Sequence, residues 1–129
     1  MILLDTHIWV WWVSNPQRLT PKHREILERG DDRNFAVSSI SCWEIAKLVQ
    51  KRRLRLEADV GLWLETAQKS SGIELINLDS QIIVESTRLP EPFHNDPADQ
   101  IIVATARVRN CSLMTEDRKI LAYRGVAAI

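Results

Sequence analysis

Five acidic side chains in this chain stand where a predicted strand ends or a predicted helix begins. If they share one cleft, their like charges are unfavourable unless they take up protons or bind a cation. Carboxylates without neighbouring cysteines suit Mg²⁺ or Mn²⁺, which favour oxygen ligands and leave room for phosphate. Such ions activate water and neutralise charge on phosphoryl oxygens, as phosphodiester cleavage requires. The five acids are Asp5, Glu44, Asp96, Asp99 and Asp117.

Each of these acids also has a purely structural explanation. Asp96 can cap a helix, and Asp99 in the first turn of that helix would complement its dipole. Asp117 can favour the start of a short helix, whereas Asp5 and Glu44 can be solvated residues of a loop and a helix. Spacing alone does not show that the loops meet, so both explanations stay open.

Strands and helices alternate along the sequence that must position these acids. Strands are predicted over residues 2–4, 35–37, 74–78, 112–114 and 126–129. Helices are predicted between Thr6 and Asn15, between Thr20 and Gly30, over 38–50, over 59–69 with Ser71-Gly72 closing it, over 80–88, from Pro97 onward and over 116–121. This order is typical of an α/β fold with a central, mostly parallel sheet covered on both faces. Sites in such sheets form outside the carboxyl ends of the strands, where these acids stand.

Length and composition limit the alternatives. A chain of 129 residues fits one domain spanning 1–129. Its 17 basic and 17 acidic residues give no global argument for nucleic acid or a membrane. No apolar stretch reaches the ~18 residues of a membrane span, and no signal peptide is recognisable. Cys42 and Cys111 lack metal-like spacing and are interpreted as reduced thiols. Together these features predict a cytoplasmic protein without membrane contact.

Four blocks of the sequence resemble the acidic blocks of a known family. They are ILLDTH at 2–7, SCWEIAK at 41–47, DPADQ at 96–100 followed by IIVATA, and TED at 115–117. Together they resemble PIN-domain ribonucleases, in particular the VapC-type toxins of bacterial type II toxin–antitoxin systems. The match runs nearly end to end in the family's order and spacing. The resemblance implies a PIN-like three-layer α/β/α fold.

The resemblance also implies an activity, a cofactor and partners. The activity is endonucleolytic cleavage of RNA that depends on Mg²⁺ or Mn²⁺. The partner is a VapB-like antitoxin that blocks the cleft, and family members are commonly homodimers. Gln100 departs from the pattern, since many such toxins carry Arg there, and a phosphate or backbone contact depends on that position. The implied metal ligands, with Asp96 as a close accessory, are Asp5, Glu44, Asp99 and Asp117.

Several neighbours of these acids have more than one interpretation. Thr115 is predicted to make a hydrogen bond within the site, whereas Thr6 is predicted to cap the helix that follows it. His7 and His94 could act as general bases. A metal ion that activates water makes such a base unnecessary, so we favour structural or supporting roles for both histidines.

Cations and indoles could supply contacts to RNA despite the zero net charge. The densest run of cations comprises Lys47, Lys51, Arg52, Arg53 and Arg55. It would either contact RNA phosphates or form a solvated helix end. Most of the tryptophans, at positions 9, 11, 12, 43 and 63, are expected in the core. One or two could instead cover a subunit or antitoxin surface, or stack on bases.

Other enzyme classes fit this sequence less well. A haloacid-dehalogenase-type phosphatase needs a second Asp two residues after the first, and His7 stands there. An NTPase would need a glycine-rich phosphate loop, which the sequence lacks. The remaining alternative is a catalytically silent PIN-like module that binds RNA or protein. Retention of all the acids favours the enzyme, and divalent-metal affinity lost in Asp5→Asn would support it.

Overall fold

Four short parallel strands form the sheet at the centre of the molecule. The computed structural model describes residues 1–30, 34–70 and 72–129. The strands are β1 (Ile2–Leu4), β2 (Phe35–Ser38), β3 (Glu74–Ile76) and β4 (Ser112–Met114), in the spatial order β3-β2-β1-β4. Leu3 of β1 is in register with Ala36 on one side and Leu113 on the other. Because all pairs are parallel, the carboxyl ends of the strands meet at one edge.

Helices cover both faces of this sheet. Over the described residues they are α1 (Thr6–Ser14), α2 (Pro21–Arg29), α3 (Ser39–Gln50), α4 (Val60–Ser70), α5 (Ser80–Ser86), α6 (Pro97–Val108) and α7 (Arg118–Leu121), with a short 3-10 helix at Pro16–Arg18. One core cluster joins Leu4 to α1 and α4 through Trp9 and Trp63. The other joins Leu3 to α6 through Ile102. Successive residues of β1 thus face opposite layers, and the predicted α/β/α architecture with its parallel sheet is confirmed.

Polar caps explain why several helices begin where they do. The Thr20 hydroxyl accepts a hydrogen bond from the His23 amide, and Pro21 occupies the first turn of α2. Gly30 ends that helix with a φ of 55°, a left-handed conformation that glycine adopts without strain. The Ser38 hydroxyl caps α3 by accepting a hydrogen bond from the Ile40 amide at 3.2 Å. These capping residues agree with the helix boundaries expected from the sequence.

The prediction that Thr6 caps α1 was wrong. Asp5 is the cap, because its Oδ1 accepts the Thr6 amide hydrogen at 2.8 Å. Thr6 is the first residue of the helix, and its hydroxyl instead shares a hydrogen bond with the Ser41 hydroxyl at 2.8 Å. An Asp before a Thr offers two possible caps, and the β-like backbone at Asp5 (φ −65°, ψ 157°) decides between them.

Several other boundaries differ from prediction, most of them by one or two residues. β3 ends at Ile76 rather than 78, since its partner strand ends at Ser38 and becomes helical. α5 ends at Ser86, not 88, where the Ser86 and Thr87 hydroxyls donate to carbonyls of the last turn. α7 begins after its cap, Asp117. The predicted strand 126–129 is reduced to one parallel bridge between Leu113 and Ala128. Ser71, predicted to close the helix over 59–69, lies outside the described residues.

Two further features concern helix length and the cysteines. No helix in the described part of the chain is long and apolar enough to cross a membrane. Cys42 and Cys111 are both free and partly buried. Burial raises the pKa of each thiol, so neither has the character of a reactive thiolate.

Candidate functional site

A cavity of about 340 Å³ at the carboxyl edge of the sheet collects all the acids singled out from the sequence. The turns after β1 and β4 supply one acid each, α3 supplies another, and the start of α6 supplies two. Val10, Leu48 and Leu54 add apolar walls. The acids lining the cavity are Asp5, Glu44, Asp96, Asp99 and Asp117.

Three of these carboxylates approach one another closely. Oxygen atoms of Glu44, Asp96 and Asp99 all lie within 4.8 Å of each other, and the three come from α3 and the first turn of α6. Asp96 also caps α6, since its Oδ1 accepts the Asp99 amide hydrogen at 3.0 Å. The capping role expected as an alternative is therefore real, but it occupies only one carboxylate oxygen. The tight group includes Asp96, for which the sequence had implied an accessory place.

Asp5 is held rigidly beside this group. It is 3% exposed, and its Oδ2 accepts the Thr115 hydroxyl hydrogen at 2.7 Å while its Oδ1 caps α1. The same Thr115 oxygen accepts the Asp117 amide hydrogen at 2.9 Å. One buried threonine thus links two acids from different turns, as the sequence suggested for Thr115. Asp117 uses its Oδ1 to cap α7, where it accepts from the Lys119 amide at 2.8 Å.

Burial and repulsion shift the ionisation of two acids. Desolvation, followed by the charges of four neighbouring carboxylates, raises the pKa of Asp99 to about 8. Burial also raises the pKa of Glu44. A hydrogen bond from Thr6 partly opposes that rise, and the charges of Asp5 and Asp96 add to it. A metal-free cavity of this kind holds a proton at neutral pH that a cation could replace.

Two histidines support the acids from the sides. His94 Nε2 lies 3.0 Å from Asp99 Oδ2, and Gln100 Nε2 donates to the His94 carbonyl at 3.0 Å. Gln100, which departs from the family's usual Arg, therefore fixes the loop that carries His94. His7 Nε2 accepts the Glu116 amide hydrogen at 3.1 Å, so that nitrogen is already engaged with the backbone.

The basic run predicted to contact RNA divides between two surfaces. Lys51 and Arg52 are exposed just after α3. Lys47 is half-buried in the last turn of that helix, with its Nζ 5.9 Å from the Trp43 ring centroid. Arg53 and Arg55 instead line a groove of about 660 Å³ beside α1. The run therefore does not form one continuous surface.

Arg18 also lines this groove and was missed in the sequence. Its guanidinium lies 4.8 Å from the Trp11 ring centroid. Trp11 belongs to both the groove and the acidic cavity. The only sequence signal was a cation seven residues after an aromatic side chain, which is too common to indicate a site.

Comparison with known proteins places this geometry in a family. A family model for the PIN domain matches residues 2–126. The chain belongs to the PIN-domain family. It is 33% identical over 123 residues to ribonuclease VapC22 of Mycobacterium tuberculosis, covering 95% of this chain and 92% of that protein. The resemblance to VapC-type PIN-domain ribonucleases is thereby confirmed.

Solved structures share the fold of this PIN domain. VapBC2 from Rickettsia felis, bound to a promoter DNA fragment, superimposes with a TM-score of 0.73 at 20% identity, over 100% of this chain and 98% of that one. A toxin–antitoxin complex from Klebsiella pneumoniae gives 0.68 at 21% identity, over 100% and 96%. At these identities the likeness concerns the fold, and it agrees with the layers described above.

Proposed function

We propose that this PIN-domain protein is an endoribonuclease toxin that uses Mg²⁺ or Mn²⁺ to cleave RNA phosphodiester bonds. The observation that carries the proposal is the single cavity lined by five carboxylates, in a chain 33% identical to a ribonuclease. Repulsion among these carboxylates has no structural benefit. The same carboxylates suit a bound cation, and a bound cation in turn attracts a phosphate.

The donor set fits a hard divalent cation. Glu44, Asp96 and Asp99 offer oxygen atoms within 4.8 Å of one another, and Asp5 and Asp117 line the same cavity. These acids would hold Mg²⁺ or Mn²⁺, both of which favour oxygen ligands over the nitrogen and sulfur preferred by zinc. When bound, such an ion supplies water activation and neutralises charge on phosphoryl oxygens.

The protein's own residues prepare the cavity for that chemistry. Thr115 and the start of α1 fix both oxygens of Asp5, so its orientation does not depend on the substrate. Asp99 holds its proton up to a pH of about 8 and must release it when a cation binds. Val10 and Leu48 narrow the cavity with apolar surface, which strengthens electrostatic interactions inside it.

The proposed partners follow from the family and the fold. A VapB-like antitoxin would neutralise the toxin by covering the acidic cavity, and the chain would form a homodimer in the cytoplasm. The solved neighbours include VapBC and other toxin–antitoxin complexes of the same fold. Trp43 is 52% exposed on α3, and aromatic side chains of this kind are enriched at protein interfaces.

Cleavage assays on purified protein test the enzymatic proposal. Single-stranded RNA should be cut internally with Mg²⁺ or Mn²⁺ and left intact with chelator. Asp5→Asn and Asp99→Asn should each lose several orders of magnitude in rate while staying folded by circular dichroism, since both line the metal cavity. The control is Asp79→Asn, which changes an acid that caps α5 and does not line the cavity. Undiminished cleavage by either folded cavity variant would contradict the proposal.

A further inference from the structure

The groove beside α1 adjoins the acidic cavity. Val10, Trp11 and Leu54 line both spaces, so the two lie within one side chain's width of each other. The groove is about 660 Å³ and is larger than the acidic cavity, which is about 340 Å³. A strand bound at the cavity therefore has the groove as its neighbouring surface.

The groove has a charge opposite to that of the cavity. Its charged lining among the described residues consists of Arg18, Arg53, Arg55 and Glu57. Within residues 1–30, 34–70 and 72–129, none of these three guanidinium groups is in an ion pair. All three arginines are exposed, so they are available to a ligand.

The local structure holds two of these arginines in place. Arginines and leucines alternate from Arg53 to Leu56. Leu54 and Leu56 are partly buried against the core, whereas Arg53 and Arg55 are exposed. The Arg53 amide donates to the Leu48 carbonyl at 2.9 Å, which ties the segment to α3. Alternation of this kind anchors the backbone through the leucines and leaves the cations at the surface.

The third arginine arrives from another part of the chain. Arg18, in the 3-10 helix, packs over Trp11 at 4.8 Å, and His7 meets the same ring edge-on at 5.0 Å. The planar guanidinium, pre-organised by this stacking, suits a bidentate phosphate contact. Its stacked aromatic neighbour gives the groove a surface that also suits a base.

We propose that the RNA strand flanking the scissile phosphate runs along this groove, with Arg18, Arg53 and Arg55 on its phosphates. The inference rests on the proposed function and assigns the strand's path. The cavity alone repels phosphate, so affinity must come from cations adjoining it, and this groove provides them. Lys47, Lys51 and Arg52 lie outside the strand path and contribute little.

Two variants of equal charge change separate this path from general attraction. The groove variant carries Arg18→Gln, Arg53→Gln and Arg55→Gln. The control variant carries Lys47→Gln, Lys51→Gln and Arg52→Gln. Binding of a fluorescein-labelled single-stranded RNA is followed by anisotropy over a salt series in chelator, so no cleavage occurs. Each phosphate contact to a single strand contributes about 0.7 to the slope of log affinity against log salt.

The groove variant should lower the magnitude of that slope by about 2, for three contacts of about 0.7 each, and the control variant should leave it near wild type. Glu57→Gln should tighten binding, since it removes the carboxylate of the same groove. Thermal unfolding checks that each protein is folded, and Arg53→Gln and Arg55→Gln alone replace the triple change if it is not.

Three results would overturn the path. An equal fall in both triple variants would mean diffuse attraction, and an unchanged slope in the groove variant would mean that the groove arginines do not contact RNA. Wild-type protein that binds no RNA in chelator would show that the groove does not hold RNA by itself. Failure of the proposed enzyme is separate, because it appears as absent cleavage with Mg²⁺ or Mn²⁺ whatever the slope.

Discussion

The carboxyl group of Asp99 makes metal-free stability depend on pH. Its pKa is 3.8 ordinarily and about 8 in the folded protein, so between these values the folded state holds a proton that the unfolded state has lost. The stability that this raised pKa contributes to the folded protein is fully present below pH 4 and is lost as the pH rises through 8. In chelator, the free energy of unfolding should therefore fall between pH 5 and 8, by a few kcal/mol at about 1.4 kcal/mol per pKa unit.

The variant Asp99→Asn tests this origin of the pH dependence. It cannot ionise, so urea unfolding at pH 5 and pH 8 should give more nearly equal free energies than in wild type. Some slope should remain, because burial also raises the pKa of Glu44. A slope as steep in the variant as in wild type would show that Asp99 is not the titrating group.

Thr115 is a second residue whose contribution can be isolated. Its buried hydroxyl donates to Asp5 and accepts from the Asp117 amide. Thr115→Val keeps the shape but leaves a carboxylate and an amide without this partner, at a cost of about 1–3 kcal/mol in unfolding free energy. Cleavage should fall as well, since Asp5 loses its orientation. Thr115→Ser keeps the hydroxyl and should restore activity; an equal loss in both variants would contradict this role.

Which acids line the cavity could be predicted from the sequence, but their grouping could not. Each stands beside a strand end or a helix start, and the family blocks name them in order. The distances depend on how α3 packs against α6, which no local pattern encodes. For that reason Asp96, predicted as an accessory, lies in the tight group with Glu44 and Asp99.

The first turn of α6 combines a helix cap with part of the proposed metal site, and the two roles can be separated. Asp96→Asn keeps an oxygen to accept the Asp99 amide hydrogen, so stability without metal should be retained, while Mn²⁺ affinity falls with the lost charge. Asp96→Ala loses both, including about 1 kcal/mol of helix stability.

Calorimetric titration measures the Mn²⁺ affinity, and urea unfolding in chelator measures the stability without metal. Asp79→Asn is the matched control, because Asp79 caps α5 by the same geometry and does not line the cavity. It should leave Mn²⁺ affinity unchanged. An Asp96→Asn protein with wild-type affinity would mean that Asp96 is only a cap.

Secondary structure was predictable where a residue's own chemistry decides it. Thr20-Pro21, Gly30 and Asp79 mark helix ends through hydrogen bonds and backbone freedom that they supply themselves. Boundaries set by a distant partner were not predictable. β3 stops at Ile76 because its partner strand β2 ends at Ser38, where the chain enters α3. Neither sequence segment shows this by itself.

At the scale of the whole molecule, the fold creates surfaces from distant segments. Arg18 lies 35 residues before Arg53, yet both line one groove. Meanwhile Arg52, adjacent to Arg53 in sequence, is not among the groove's lining. The basic run of the sequence is thus divided between two surfaces by the fold, and its contact with RNA stays a prediction.

The whole molecule should also be stabilised by the cation that its cavity is proposed to hold. Binding to the folded state alone raises the free energy of unfolding by about 2.7 kcal/mol at 100 times the dissociation constant. Mg²⁺ or Mn²⁺ should therefore raise the melting temperature by several degrees, and more at pH 8 than at pH 6, because protons compete for Asp99. Differential scanning fluorimetry measures the shift.

Sodium chloride at matched ionic strength separates this binding from screening. With 17 basic and 17 acidic residues the chain has no net charge, so general screening should have a small effect on its stability. Asp79→Asn should keep the shift, and Asp5→Asn, which loses an acid of the cavity, should lose most of it. Melting temperatures indifferent to both divalent ions would contradict the proposed metal site and favour a silent PIN-like binding module, because the five acids would then repel one another without a ligand.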